Sequence, residues 1–298
     1  MFSWSTWLHL RVPFSFFLLP VFLFSLALSP NAGIARTVWV FVIVHFFLYP
    51  ASNGYNSYFD RDEESIGGLR NPPQVTPELY RVALALDAIA IILGVVFVNV
   101  LFAIMLLIYG LVSKAYSHPS IRLKKYPIIG WLAAGFFQGF FTFIMCYVGI
   151  NNYSLGEALT RMTTYAGLLT SWMLLGSFPM TQIYQHGEDG RRGDMTISRL
   201  VGIIATFHLA GTIFLLVFVG FASFFGFYFS AQYSVIFTIA MFPMAVYFVL
   251  WYMQVRQSEI AADYDHTMRL NFVSATCMNV FFLFFFFDNQ NILDTLAN

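Results

Sequence analysis

The sequence predicts an all-α membrane protein, a polytopic bundle of about nine transmembrane helices around a central cavity. Of its 298 residues, 59% are hydrophobic and 19% are aromatic, while only 10% are charged. Soluble domains carry about 25% charged residues. Several uncharged runs reach the roughly 20 residues that a helix needs to cross the hydrocarbon core. Because lipid cannot satisfy exposed backbone polar groups, each run is expected to be a helix. We therefore expect one integral membrane domain over residues 1–298.

Nine hydrophobic runs follow one another along the chain. The connections after the first, third, fifth and seventh runs are short and nearly uncharged, whereas the connections after the second, fourth, sixth and eighth are longer and rich in charge. Alternate ends of an up-and-down bundle lie on the same side, so the charged connections are expected to share one membrane face. The predicted helices are residues 13–30, 37–58, 79–97, 100–117, 127–149, 162–185, 198–224, 231–254 and 270–288.

The basic residues are distributed very unevenly between the two predicted faces. The chain has 15 Lys and Arg residues, and all but Arg36 and Arg161 fall on the face that holds the N-terminus. The excess of Lys and Arg in cytoplasmic loops sets the orientation of membrane proteins. We therefore expect the N-terminus in the cytoplasm and the C-terminus on the opposite side of an inner or cell membrane.

Composition and motif spacing argue against several classes of protein. The formal net charge is zero, so no basic excess indicates binding to nucleic acid. Cys146 and Cys277 lie in apolar runs, without the spacing of a zinc site or of a disulfide framework. The string DGRRGD partly matches the CDP-alcohol phosphotransferase signature, but after Asp194 the next acidic residue is Glu259, so that signature is incomplete.

The segment NSYFDRDEES, residues 56–65, ends the second predicted helix with a dense group of ionisable side chains. Asn56, Asp60 and Glu64 are spaced by four and would share one face if the helix continues, with Asp62 and Glu63 pointing elsewhere. Carboxylates in one stripe repel one another unless a cation binds between them. Oxygen ligands suit hard cations, and magnesium is typically held by one or two carboxylates together with substrate phosphates. Taken alone, the pattern is as typical of a solvated acidic helix end as of a metal site, and the second group of polar residues decides between them.

A second group of the same kind ends the sixth predicted helix. Gln185 and Asp189 repeat the amide-then-carboxylate spacing of four, on the same predicted face. Two such stripes facing each other across a cavity would hold cations around a phosphate-bearing ligand. The charged segment after the fourth helix adds Lys114, Arg122 and Lys124, which are the cationic partners that a diphosphate requires.

Taken together, these residues resemble the UbiA-type intramembrane prenyltransferases, a family with nine helices and two Asp-rich motifs. The first family motif, N-D-x-x-D-x-x-x-D, is matched by Asn56, Asp60 and Glu64, with YFDRD as its filling. The second, D-x-x-x-D followed by Gly and Thr, is matched in frame by Gln185 and Asp189. The segment YSHPSIRLKKYPIIG is similar to the family's region after the fourth helix. The resemblance spans most of the chain in order, spacing and topology.

The resemblance implies a Mg²⁺-dependent transfer of a prenyl group from a polyprenyl diphosphate to an aromatic or lipophilic acceptor within the membrane lipid. The family's metal ligands carry over to Asp60, Glu64 and Asp189, and catalytic roles carry over to Asp60, Asp189 and Asn56. As residues that bind the substrate we expect Asn56, Arg61, Lys114, Lys124, Gln185, His186 and Arg192. A histidine can accept the proton that an aromatic acceptor loses, and His266 in the last cytoplasmic loop is a candidate.

Three positions depart from the family motifs. Ser57 and Gln185 stand where the family has Asp, and Glu64 stands where it has the last Asp of the first motif. The expected site therefore holds fewer carboxylates than the family pattern, and neither Asp62 nor Asp194 occupies a matching helical position. Two alternatives stay open: a terpene cyclase that ionises a prenyl diphosphate without an acceptor, and a non-catalytic isoprenoid-binding or transport protein.

Overall fold

The computed structural model describes residues 3–290, and it is built of helices. The first helix, α1, is a bent pair, Trp4–Phe17 and Leu19–Ala27, with an angle of 44° between its two parts. The following helices are α2 (Ile34–Asp60), α3 (Glu78–Phe97), α4 (Val100–Ser117), α5 (Pro127–Asn151), α6 (Arg161–Met180), α7 (Ile203–Tyr228), α8 (Ala231–Gln257) and α9 (Tyr264–Asn289).

The prediction of an all-α membrane bundle is confirmed. Seven of these helices are long and apolar enough to cross a membrane, and the bent pair α1 would make eight. The predicted number of nine spans is not confirmed, because α6 is long enough but is not among the helices that pass the test of hydropathy. Each of the nine predicted runs nevertheless corresponds to one long helix or to the bent pair.

The helices pack in a closed ring. Each helix from α2 to α8 packs against the next one along the chain, and α9 packs against the Leu19–Ala27 half of α1. That half of α1 also contacts α5, on the other side of the ring. Consecutive helices are thus neighbours in space, as is usual where connections do not cross one another.

Phenylalanine side chains fill the part of the bundle where α1, α7 and α9 meet. The ring of Phe24 is completely buried and stacks on that of Phe282, with 4.7 Å between the centroids. Phe221 and Phe224 contact Phe24 edge-on at 5.3 and 5.5 Å. Aromatic side chains of this size contribute most of the apolar area that a core buries. Packing is therefore the role of these four rings.

Two helix ends differ from the sequence prediction. Helix α6 ends at Met180 rather than near residue 185, with Pro179 inside its last turn. Two short pieces follow, a 3₁₀ turn and the helix His186–Arg192. Helix α7 begins at Ile203 because Gly202 has a φ of 86°, a left-handed conformation that suits glycine.

Candidate active site

A polar cavity of about 220 Å³ lies at the end of the bundle where α2, α4 and α6 terminate. Its charged lining residues come from α1, from the end of α2, and from the two loops that follow α4 and α6. Deeper in the bundle the walls are formed by aromatic and small side chains of α4, α5 and α6. The charged lining residues are Arg11, Asp60, Asp62, Lys124, Asp189, Arg192 and Asp194.

Asp60 is the last residue of α2, and its side chain is 5% exposed. The chain reverses directly after it, because Arg61 has a left-handed φ of 49° and caps the helix. The carboxylate of Asp60 accepts a hydrogen bond from the ammonium of Lys124, and the guanidinium of Arg122 lies 4.0 Å away. Asp60 is thus a buried carboxylate held by basic residues of the α4–α5 loop.

Asp189 lines the same cavity, from the short helix His186–Arg192. Burial raises its pKa from 3.8 to about 7, and the nearby charges of Asp194 and Asp60 add to the rise, while Lys124 partly offsets it. The only hydrogen bond to its side chain within residues 3–290 comes from the Thr196 hydroxyl, at 3.4 Å. A carboxylate so weakly paired and so costly to ionise favours binding of an added cation.

Asp194 and Asp62 also line the cavity, contrary to the sequence expectation that they lie off the functional stripe. Asp194 forms a bidentate ion pair with Arg122, at 2.7 and 2.8 Å. Although its burial acts in the opposite direction, these hydrogen bonds lower the pKa of Asp194. Burial, followed by the charge of Asp60, raises the pKa of Asp62 to about 6. The side chain of Asp62 accepts a 2.5 Å hydrogen bond from Arg192.

The two amide side chains and Arg192 lie where the sequence predicts a ligand. Asn56 accepts a 2.8 Å hydrogen bond from the Ser117 hydroxyl, which fixes the orientation of its amide. Gln185 donates to the backbone carbonyl of Ser65 at 3.3 Å. Both amides line the cavity beside Arg192.

Glu64 and Arg61 are not brought into the cavity. The helical stripe that the sequence predicts through Glu64 is wrong, because α2 ends at Asp60, four residues earlier. The side chain of Glu64 is 49% exposed and pairs on the surface with Arg191. Arg61 lines a second pocket, together with Tyr58.

Lys114, His186 and His266 have other partners. Lys114 pairs with Asp87 between α3 and α4, and its ammonium lies 5.1 Å from the ring centroid of Tyr55. His186 shares a 2.7 Å hydrogen bond with the Ser198 hydroxyl. His266 shares one of 2.9 Å with Asp263 and stacks on a tryptophan ring. Among the described residues, these three are not part of the cavity lining.

Arg11 is a cavity residue that the sequence analysis missed. It lies within the first part of α1, Trp4–Phe17. Its guanidinium donates to the carbonyls of Gly67 at 3.2 Å and Asn53 at 3.5 Å. Within residues 3–290 it forms no ion pair with a carboxylate. The available signal was an arginine at the start of an apolar run, which positive-inside topology already explains.

The carboxylates that line the cavity suit a magnesium ion that also keeps water or phosphate ligands. Within the described part of the chain, no group of three Asp, Glu, His or Cys side chains is arranged to hold one metal ion by itself. Magnesium rarely needs such a group, because it keeps water or phosphate oxygens and takes one or two carboxylates. Asp60 and Asp189, which line one cavity, fit that requirement.

Fold and cavity together define an integral membrane protein with a buried, charged ligand site at one end of its helical bundle. The chain belongs to the UbiA prenyltransferase family, whose model matches residues 17–273. The sequence-based resemblance is thereby confirmed. Among curated proteins, no sequence matches this chain.

Solved structures of UbiA homologues have the same fold. One from Archaeoglobus fulgidus, bound to GPP and Mg²⁺, is 15% identical with a TM-score of 0.64, covering 95% of this chain and 99% of that one. An apo homologue from Aeropyrum pernix K1 is 16% identical with a TM-score of 0.64, covering 91% and 98%. A digeranylgeranylglyceryl phosphate synthase structure is 17% identical with a TM-score of 0.58, covering 95% and 96%. At these identities, the likeness concerns the fold.

Proposed function

We propose that this protein transfers a prenyl group from a polyprenyl diphosphate to an aromatic or lipophilic acceptor, with Mg²⁺, at the cytoplasmic face of the membrane. The observation that carries the proposal is the cavity itself. It combines buried carboxylates with three cations, Arg11, Lys124 and Arg192, and with aromatic side chains that line the same cavity between the helices. A diphosphate with a hydrocarbon tail has the same polarity, charged at one end and apolar at the other. The solved homologue bound to GPP and Mg²⁺ supports the same ligand class.

The acidic and the basic residues of the cavity have different proposed roles. Asp60 and Asp189 would hold Mg²⁺, with Asn56 and Gln185 directing amide groups toward bound water or phosphate. A bound metal neutralises charge that develops on the leaving diphosphate. Arg11 and the basic residues Lys124 and Arg192 would contact the diphosphate oxygens directly, since charge-assisted hydrogen bonds to phosphate are strong and directional.

The apolar walls would hold the prenyl tail and stabilise its reactive form. Tyr109, Tyr116, Phe137 and Phe178 line the cavity together with the charged residues. When the C–O bond of the donor breaks, the diphosphate keeps the electron pair and leaves an allylic cation. Aromatic faces attract cations, so these four rings would stabilise it. The acceptor ring then attacks the cation and loses a proton.

Purified protein in lipid nanodiscs, given prenyl diphosphates of several chain lengths, tests the proposal. We expect Mg²⁺-dependent release of diphosphate, lost by at least about a hundredfold in D60N and D189N. E259Q removes an exposed acid from another loop and serves as the matched control. Unchanged turnover in both aspartate variants would contradict the proposal.

Analysis of the products in the same assay separates the alternatives. A hydrocarbon or alcohol formed without any acceptor would assign a terpene cyclase instead of a transferase. Tight binding of the donor without release of diphosphate by the wild-type protein would assign a non-catalytic isoprenoid-binding protein. A prenylated acceptor, formed only when an aromatic compound is supplied, supports the transferase.

A further inference from the structure

The ammonium group of Lys124 lies among the acids of the cavity. It contacts the Asp60 carboxylate directly and lies 3.8 Å from Oδ2 of Asp194. Its charge also acts on Asp189. The side chain of Lys124 is only 10% exposed. A single buried ammonium is thus paired with the Asp60 carboxylate, close to the other acids of the cavity.

The backbone that carries Lys124 is held firmly in this position. Lys124 belongs to the 3₁₀ turn Leu123–Lys125, which packs against the first turns of α5. A Cβ at Gly130 would lie only 3.0 Å from the Leu123 carbonyl oxygen and from the Cα of Lys124, so glycine there permits the close approach. On the other side, Arg122 fixes the turn to Asp194 through its bidentate ion pair.

The Lys124 side chain, by contrast, can leave the acids without any movement of the backbone. Lysine carries a compact point charge on a flexible four-carbon stem, and its three donors accept many phosphate geometries. A diphosphate bound in the cavity would give the ammonium a new anionic partner within reach of the same turn. A metal ion alone offers it none, and the two cations would repel each other at short range.

We propose that Lys124 is a resident cation of the ligand-free protein, which keeps the Asp60 carboxylate occupied until a diphosphate arrives. Metal binding is therefore conditional: an isolated divalent ion must displace the ammonium from Asp60 without giving it a new anionic partner, whereas a diphosphate that arrives with the metal supplies one. The metal and the anion consequently bind as a pair. This inference rests on the proposed function for the identity of the anion, but its test does not require turnover.

Binding of Mn²⁺, used as a paramagnetic probe for Mg²⁺, measures the effect in the absence of any diphosphate. We expect the wild-type protein to bind Mn²⁺ weakly and K124M to bind it more tightly, on the order of tenfold. Lys125 is the next residue in the same turn, and its ammonium lies over the Tyr126 ring at 5.0 Å. K125M therefore removes an equal charge from the same turn and should bind Mn²⁺ as the wild type does.

Three outcomes decide the matter. If K124M binds Mn²⁺ no more tightly than the wild type, the proposal is overturned. If the double variant K124M/D60N keeps the tighter binding of Mn²⁺, the ion does not bind at Asp60, and the proposal is again overturned. K124Q keeps a polar side chain of similar reach and repeats the measurement if K124M does not fold. Absence of diphosphate release by the wild type, with the Mn²⁺ gain intact, would refute only the proposed reaction.

Discussion

Replacement of Asp189 by asparagine should stabilise the protein while it destroys the site. The pKa of Asp189 rises from 3.8 to about 7 in the folded protein, and each unit corresponds to about 1.4 kcal/mol. The upper limit for the cost of ionising this carboxyl in the metal-free protein is therefore about 4 kcal/mol. Because the side chain is partly exposed and solvent screens it, we expect D189N to gain about 2 kcal/mol at pH 8.

The sign of the pH dependence follows from the direction of the pKa shift. Below about pH 4 the carboxyl is protonated in both the folded and the unfolded chain, so D189N gains nothing. Between pH 4 and about 7 the unfolded chain releases the proton and the folded one retains it, so the gain grows with pH. Above about pH 7 both states are ionised and the gain is constant.

Thermal unfolding in detergent without divalent metal, from pH 5 to 8, measures this gain. We expect the unfolding temperature of D189N to exceed that of the wild type by several degrees at pH 8 and by much less at pH 5. E63Q neutralises an exposed acid of the loop after α2 and should show no such trend. A gain of the same size at both pH values, or no gain, would refute the assignment of Asp189 as a costly, unpaired carboxylate.

Further variants test the placement of individual side chains. R11Q should weaken inhibition by inorganic diphosphate about tenfold, because an uncompensated cation leaves the cavity; unchanged inhibition would make Arg11 purely structural. K114M should lower the unfolding free energy by about 3 kcal/mol or more, because it leaves Asp87 unpaired. In thermal unfolding, the double variant K114M/D87N should recover most of that loss. An effect of K114M on donor KM rather than on stability would contradict this. In steady-state kinetics, E64Q should leave donor KM nearly unchanged and D62N should raise it. A raised KM in E64Q with an unchanged KM in D62N would refute the placement of Asp62 in the cavity and of Glu64 outside it.

The sequence alone predicts the helices, because each one corresponds to a long, continuous run of apolar residues. A run of apolar residues needs no partner to be recognised, and each predicted run corresponds to a helix. It also indicated Asp60 and Asp189, since each sits at the end of such a run beside an amide, Asn56 or Gln185, at a spacing of four. Periodicity of this kind survives as long as the chain stays helical.

The same reasoning failed where the chain leaves the helix. The spacing of four extends to Glu64 only if α2 continues, but the left-handed turn at Arg61 ends it and brings Asp62 into the cavity instead. Asp194 joins the site through its pairing with Arg122, a contact between loops that are 72 residues apart in sequence. Lys114 likewise finds its partner on the neighbouring helix. Ion pairs between distant segments have no periodic signature, so a single sequence does not reveal them.

The segment between Pro179 and Gly202 carries Asp189, Arg192 and Asp194, and it consists of short helical pieces that ion pairs tie to the loops after α2 and α4. The phenylalanine-filled part of the bundle is continuous and apolar, so its amides should be the last to exchange with deuterium, and those of this segment among the first. Because salt screens ion pairs, exchange in this segment should become faster as the salt concentration rises, while exchange in the bundle should not change.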